Sequence, residues 1–159
     1  MSSHKTASTS LARPANTTAY AVGDIVANHI SPGSVVVPKL VVSGVPGAGG
    51  KVMTILLAKT SASLLNAVFR VHLFTRQPAV ASGDNAAMAV AGIAAGYVGH
   101  ADVTIDKAFS DGAYNDASVA LPYQLEPGSR DLYAVIEAIG AYTPASGETF
   151  TVRVTVERD

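Results

Sequence analysis

The C-terminal stretch Phe150-Thr151-Val152-Arg153-Val154-Thr155-Val156-Glu157 decides the fold class, because apolar and polar side chains alternate along it without a break. Successive side chains of a strand point to opposite faces. Phe150, Val152, Val154 and Val156 therefore share a dry face, while Thr151, Arg153, Thr155 and Glu157 share a wet one. Upstream, β-branched and apolar runs recur between Gly, Pro, Asn and Asp punctuation. They predict strands at Tyr20 to Ala27, Val35 to Ser43, Lys51 to Lys59, Ala67 to Arg76, Tyr97 to Ile105, Ser118 to Gln124 and Leu132 to Ile139, which with Phe150 to Glu157 makes about eight. In Ala67 to Arg76, Phe69, Val71 and Leu73 form one apolar face; Val68, Arg70, His72 and Phe74 form a mixed face suited to meeting a subunit or a loop.

Only Asp84 to Ala95 interrupts this texture. Asp84-Asn85 ahead of Ala86-Ala87-Met88-Ala89-Val90 reads as an N-cap followed by helix formers, so one short helix is expected there, limited by Gly92 and Gly96. Residues 1–18 are rich in Ser, Thr, Ala and Asn, and Pro14 forbids a helix around it; they read as an extended N-terminal arm, with the body at 19–159. The expected architecture is all-β, a single-domain β-sandwich, jelly-roll-like, with an immunoglobulin-like sandwich as the runner-up. Gly23-Asp24 is expected to form a bulge in the first strand of the body.

Composition bounds the function. A chain of 159 residues without cysteine excludes a disulfide framework, thiolate metal clusters and a cysteine nucleophile. Charged residues make up 14% of the chain, against about 25% in an ordinary soluble domain. With a mean hydropathy of +0.30, small and apolar side chains must occupy surface, which reads as surface reserved for other protein. A formal charge of −1 with scattered Lys and Arg argues against a nucleic-acid partner. The longest apolar run, Met88 to Val98, falls short of the roughly 20 residues of a membrane span, so no membrane is expected. The opening MSSHKTASTS lacks the apolar core of a secretory signal, which predicts synthesis in the cytoplasm.

No motif brings catalytic chemistry. Gly44-Val45-Pro46-Gly47-Ala48-Gly49-Gly50-Lys51 lacks the first glycine and the hydroxyl residue of a phosphate-binding loop, and reads as a hairpin turn. His4, His29, His72 and His100 have no zinc-like spacing. His100-Ala101-Asp102 places an imidazole and a carboxylate on one face of a strand, but a bare polar face explains the pair as well. Asp102, Asp106, Asp111 and Asp116, with Asn115, supply oxygen ligands without EF-hand spacing, and turn-forming loops account for them. Neither a Gly-x-Ser-x-Gly elbow nor a paired-carboxylate context is present. The absence of tryptophan weakens a sugar-binding reading, although Tyr20, Tyr97, Tyr114, Tyr123, Tyr133 and Tyr142 could serve as platforms. The expectation is no enzyme, with no catalytic, cofactor-binding or metal residues and no cofactor. Asn16-Thr17-Thr18 matches a glycosylation acceptor only formally.

One run carries kinship. Arg13, Pro14, Asn16, Thr17, Thr18, Tyr20, Gly23 and Asp24 resemble the N-terminal region of small virion proteins of tailed bacteriophages, of the head cement or decoration type. The resemblance implies a structural virion protein on the outer surface of the phage head that binds the major capsid protein lattice and stabilises it. It also implies self-association as a homotrimer. The alternatives are a glycan-binding β-sandwich of a head or tail fibre, and a small enzyme of jelly-roll type.

Overall fold

The computed structural model describes residues 3–159, and they form ten strands in two antiparallel sheets. The alternating stretch becomes β10 (Thr149–Arg158), with Phe150, Val152, Val154 and Val156 buried and Arg153 exposed. β10 is flanked by β1 (Ser3–Ala12) and β4 (Gly49–Lys59), and β4 continues into β8 (Gly112–Gln124) and β7 (Lys107–Phe109). The second sheet runs β2 (Ile25–Val26), β9 (Asp131–Ala138), β5 (Val68–Phe74), β6 (Tyr97–Thr104), with β3 (Lys39–Val41) also paired to β9.

The pairing is nested: β1 with β10, β2 and β3 with β9, β4 with β8, β5 with β6. A chain wound as one long hairpin across two sheets pairs in this way, and the order is compatible with the jelly-roll-like sandwich. It departs from the immunoglobulin-like alternative, which pairs its first two long strands in one sheet. The inner faces bring Val52, Ile55 and Leu57 of β4 against Phe69, Val71 and Leu73 of β5 and Leu132, Ala134 and Ile136 of β9. At the centre, Phe69 meets the rings of Phe150 at 5.2 Å and Tyr142 at 5.4 Å, both edge-on, an arrangement worth about 0.5–1.5 kcal/mol per pair beyond burial.

Several expectations are corrected. Over Ser3–Ala12 the expected arm is a strand, paired residue for residue with β10 from Ser3↔Arg158 to Ala12↔Thr149. Most of its side chains are Ser, Thr and Ala, so an edge strand held by backbone hydrogen bonds looks like a linker by composition. Residues 1 and 2 of that arm lie outside the described residues. Tyr20 to Ala27 is a strand only at Ile25–Val26, and Val35 to Ser43 only at Lys39–Val41. Gly23-Asp24 is a turn, not a bulge: Gly23 takes φ 97°, and the Asp24 carboxylate accepts the Ala21 N–H at 2.8 Å. The glycine-rich 44–50 segment is no hairpin, because β3 and β4 lie in different sheets and it carries the chain between them.

The helix expected at Asp84 to Ala95 does not form; only a 3-10 turn, Ile93–Ala95, is present there. Asn85 sits at φ 62°, which breaks a right-handed helix. The backbone of this segment pairs instead with its neighbours: Ala81 N–H to Ala89 O at 2.8 Å, Ala91 N–H to Ala79 O at 3.0 Å and Met88 N–H to Gly23 O at 2.9 Å.

Candidate interaction surface

The Arg13 junction is a buried ion-pair cluster. The guanidinium donates through Nη2 to Asp84 Oδ2 at 2.9 Å, through Nε to the Tyr20 hydroxyl, and through Nη1 to the backbone oxygens of Asn16 and Ala145 at 3.1 and 3.3 Å. Asp84 Oδ1 also accepts the Tyr20 hydroxyl at 2.6 Å and the Ala27 N–H at 2.9 Å. Neither the Arg13 nor the Asp84 side chain reaches solvent. Burial, reinforced by the Asp84 charge, pushes the Tyr20 phenol far above its ordinary range. Arg13, Asn16 and Tyr20, singled out by resemblance, thus do structural work; their partner Asp84 lies too far along the chain for spacing to reveal.

A second buried cluster adjoins it, joined by Arg13 N–H to Glu148 O at 3.0 Å and Tyr20 N–H to Tyr142 O at 2.9 Å. Glu148 accepts the Tyr142 hydroxyl at 2.7 and 3.0 Å and stands 3.8 Å from the Lys59 ammonium. Lys59 also donates to the backbone oxygens of Ser61, at 2.6 Å, and Ser63. Burial drives the Lys59 pKa down despite the neighbouring carboxylate. These groups lock three connections of the sandwich together.

Asp84 also anchors the segment that does reach the surface. Next to it, Gly83 packs so closely on the backbone of Ile30 that an added Cβ would lie 1.8 Å from the Ile30 oxygen. From there residues 86–98 run AAMAVAGIAAGYV without a charged side chain. Their underside covers one end of the outer face of the second sheet: Phe74, Ala95, Ile25, Ala27, Val37 and Val135 form a second small core, with Met88 and Val90 packed on it. The mixed face of β5 therefore meets a loop at its Phe74 end. The upper side is open, with Ala87, Ala89, Ala91, Ala94 and Tyr97 exposed and Ile93 90% exposed. A groove of about 240 Å³ runs beside Ile93, lined by His72, Phe74, Met88, Val90 and Tyr97.

Next to this apolar ridge the outer face turns polar. His72 Nε2 lies 2.9 Å from Glu137 Oε1, His72 Nδ1 lies 2.9 Å from the Tyr97 hydroxyl, and that hydroxyl lies 3.0 Å from His100 Nδ1. Arg70 clamps Asp102 through two hydrogen bonds of 2.6 and 3.0 Å. Burial lowers the His72 pKa more than Glu137 raises it, while Arg70 holds Asp102 below the usual carboxylate range. His100 and Asp102 do share a face, but the carboxylate goes to Arg70 and the imidazole to Tyr97. The oriented histidine is His72, whose partner Glu137 sits on β9, and only the strand order brings the two together.

The other sequence candidates stay apart. Asp106 pairs with Lys107 at 3.1 Å, Asn115 with the same ammonium at 3.0 Å, and Asp111 lies in the turn between β7 and β8. No group of three His, Asp or Glu side chains among the described residues is placed to hold a metal. Lys51 points outward on β4, and the Gly47 N–H is taken by Ser129 O at 2.8 Å rather than left for a phosphate. His4 lies on β1, and His29 Nδ1 accepts the Ser31 N–H at 2.9 Å. Tyr20, Tyr123 and Tyr142 are core residues; Tyr114 and Tyr133 are half-buried.

No protein-family model and no curated protein matches the sequence. Among solved structures, a chain of the cyanophage Pam1 capsid asymmetric unit aligns with 98% of this chain and 85% of its own length, at 13% identity and a TM-score of 0.35.

Proposed function

We propose that this chain is a structural virion protein of the cement or decoration type, which binds the major capsid protein lattice on the outer surface of a phage head and stabilises it. The observation that carries this reading is the uncharged 86–98 ridge, exposed yet held rigid from below by a small core and by the Asp84 anchor. A rigid apolar ridge associates at little ordering cost, and burying Ile93 alone would contribute about 1.5–3 kcal/mol per copy. The charge-poor composition and the resemblance of the Arg13 to Asp24 run support the same conclusion.

The second contact is the free side of β1, an edge strand that can extend its sheet by pairing with an extended segment of capsid protein or of another copy. The proposed assembly is a homotrimer seated on a local threefold axis. The test is binding of the purified protein to heads that lack it. I93D, a substitution at an exposed site, should keep the circular dichroism of the wild type and lose most head binding; undiminished binding would remove the ridge from the mechanism.

A further inference from the structure

On the opposite side of the molecule, the outer face of the first sheet carries a second feature that attachment through the ridge leaves unused. β7 is a three-residue edge strand with every residue exposed, and it ends on Phe109, 62% exposed. An exposed phenylalanine on an exposed edge strand adds nothing to either core. Its ring lies parallel to that of Tyr114, with 2° between the planes and centroids 5.8 Å apart, so the two are displaced sideways and leave aromatic surface free. The register explains the meeting, since Tyr114 pairs with Lys107 and Phe109 is the next residue on the same face of β7.

These rings line an open groove of about 440 Å³, within the roughly 300–1,000 Å³ range of small-molecule sites. Leu56 and Ala58 of β4 line it as well, together with Asp111 and Arg153. Neither Asp111 nor Arg153 has an ion-pair partner among the described residues, whereas Asp102, Asp106 and Asp131 do.

We infer that this groove binds a neutral saccharide, with the Phe109–Tyr114 pair as the stacking surface and Asp111 and Arg153 as the hydrogen-bonding groups. A pyranose presents an apolar C–H face that packs on an aromatic ring and a rim of hydroxyls that both donate and accept. The Asp111 carboxylate accepts from such hydroxyls and the Arg153 guanidinium donates to them. Asp111 and Arg153 offset one another, so the pair gives the groove no bias toward an anionic or a cationic ligand. The reading is independent of head binding through the ridge, because ridge and groove lie on different sheets.

The experiment is a titration of the ¹⁵N-labelled full chain with maltotriose, cellotriose and chitotriose, with uridine monophosphate as a separate arm. At least one trisaccharide should give saturable amide shifts confined to residues 107–114 and the neighbourhood of Arg153. F109A should keep the wild-type spectrum elsewhere, weaken that binding at least tenfold and bind heads as the wild type does; D111N should weaken it several-fold. The inference is overturned by absence of shifts with all three sugars, by shifts that persist unchanged in F109A, or by saturation with the nucleotide alone.

Discussion

Asp84 is the residue on which most of the buried polar structure converges. Its carboxylate is the counter-charge of the buried Arg13 guanidinium and also accepts the Tyr20 hydroxyl and the Ala27 N–H, so D84A leaves a buried cation without its anion and takes the acceptor from two further donors at once. Breaking one side of such a pair costs about 3–5 kcal/mol. Urea denaturation of D84A should show a loss of that size, and a double variant with R13A should lose less than the sum of the single losses, because both act on one interaction. His72 makes a separate, pH-dependent contribution. Its folded pKa lies below the ordinary 6.5, so the unfolded chain binds the proton first as pH falls. The stability it contributes is complete above pH 6.5 and is lost as pH falls from there toward the folded value. H72Q should flatten the dependence of unfolding free energy on pH in that window; an unchanged slope would mean that another group titrates there. Asp102, held low by Arg70, acts in a lower window, where stability falls as pH drops below its ordinary 3.8.

Among the elements, β1 covers one edge of the first sheet. It buries little beyond Leu11, so backbone pairing to β10 holds it. Removal of residues 1–12 leaves Arg13 and its cluster in place but uncovers the edge of β10 along its whole length. The truncated chain should retain a β-type circular dichroism spectrum, melt at a lower temperature and associate with rising concentration in light scattering, since a long bare edge recruits further strands. Supplying the peptide SHKTASTSLA should reverse that association; failure to do so would show that the edge is not what was exposed. β1 was illegible in sequence because its Ser/Thr-rich alternation contains almost no apolar signal. β4, β5, β6, β9 and β10 are legible, because each is an apolar run with a dry inner face, and in β5 and β9 part of the outer face is buried as well. The segment after Asp84 reads as a helix because its alanines favour one locally, whereas backbone pairing to 79–81 and to Gly23 satisfies its polar groups in an extended form.

For the molecule as a whole, apolar and small side chains on the surface are the counterpart of the charge deficit. Ile93, Phe109, Val22, Ile30, Val36 and Leu65 are all well exposed, far more than the two cores require. Purified protein should therefore be oligomeric in multi-angle light scattering, with the trimer as the expected species, and this association should vary little with ionic strength because few charges take part. A strictly monomeric species at high concentration would remove self-association from the proposal.

The amino-acid sequence by itself determined the β class, the strands with a buried face, and a surface too poor in charge for an ordinary soluble domain. These properties are local, since alternation and turn chemistry are written within a few residues of where they act. The tertiary structure alone decided that Arg13 meets Asp84, that His72 meets Glu137 rather than the Asp102 near His100, that residues 3–12 close the first sheet, and that Phe109 stacks on Tyr114. Each of these contacts depends on which strands or loops become neighbours. That order follows from burying two whole sheet faces against each other, a condition on the entire chain that no single stretch encodes.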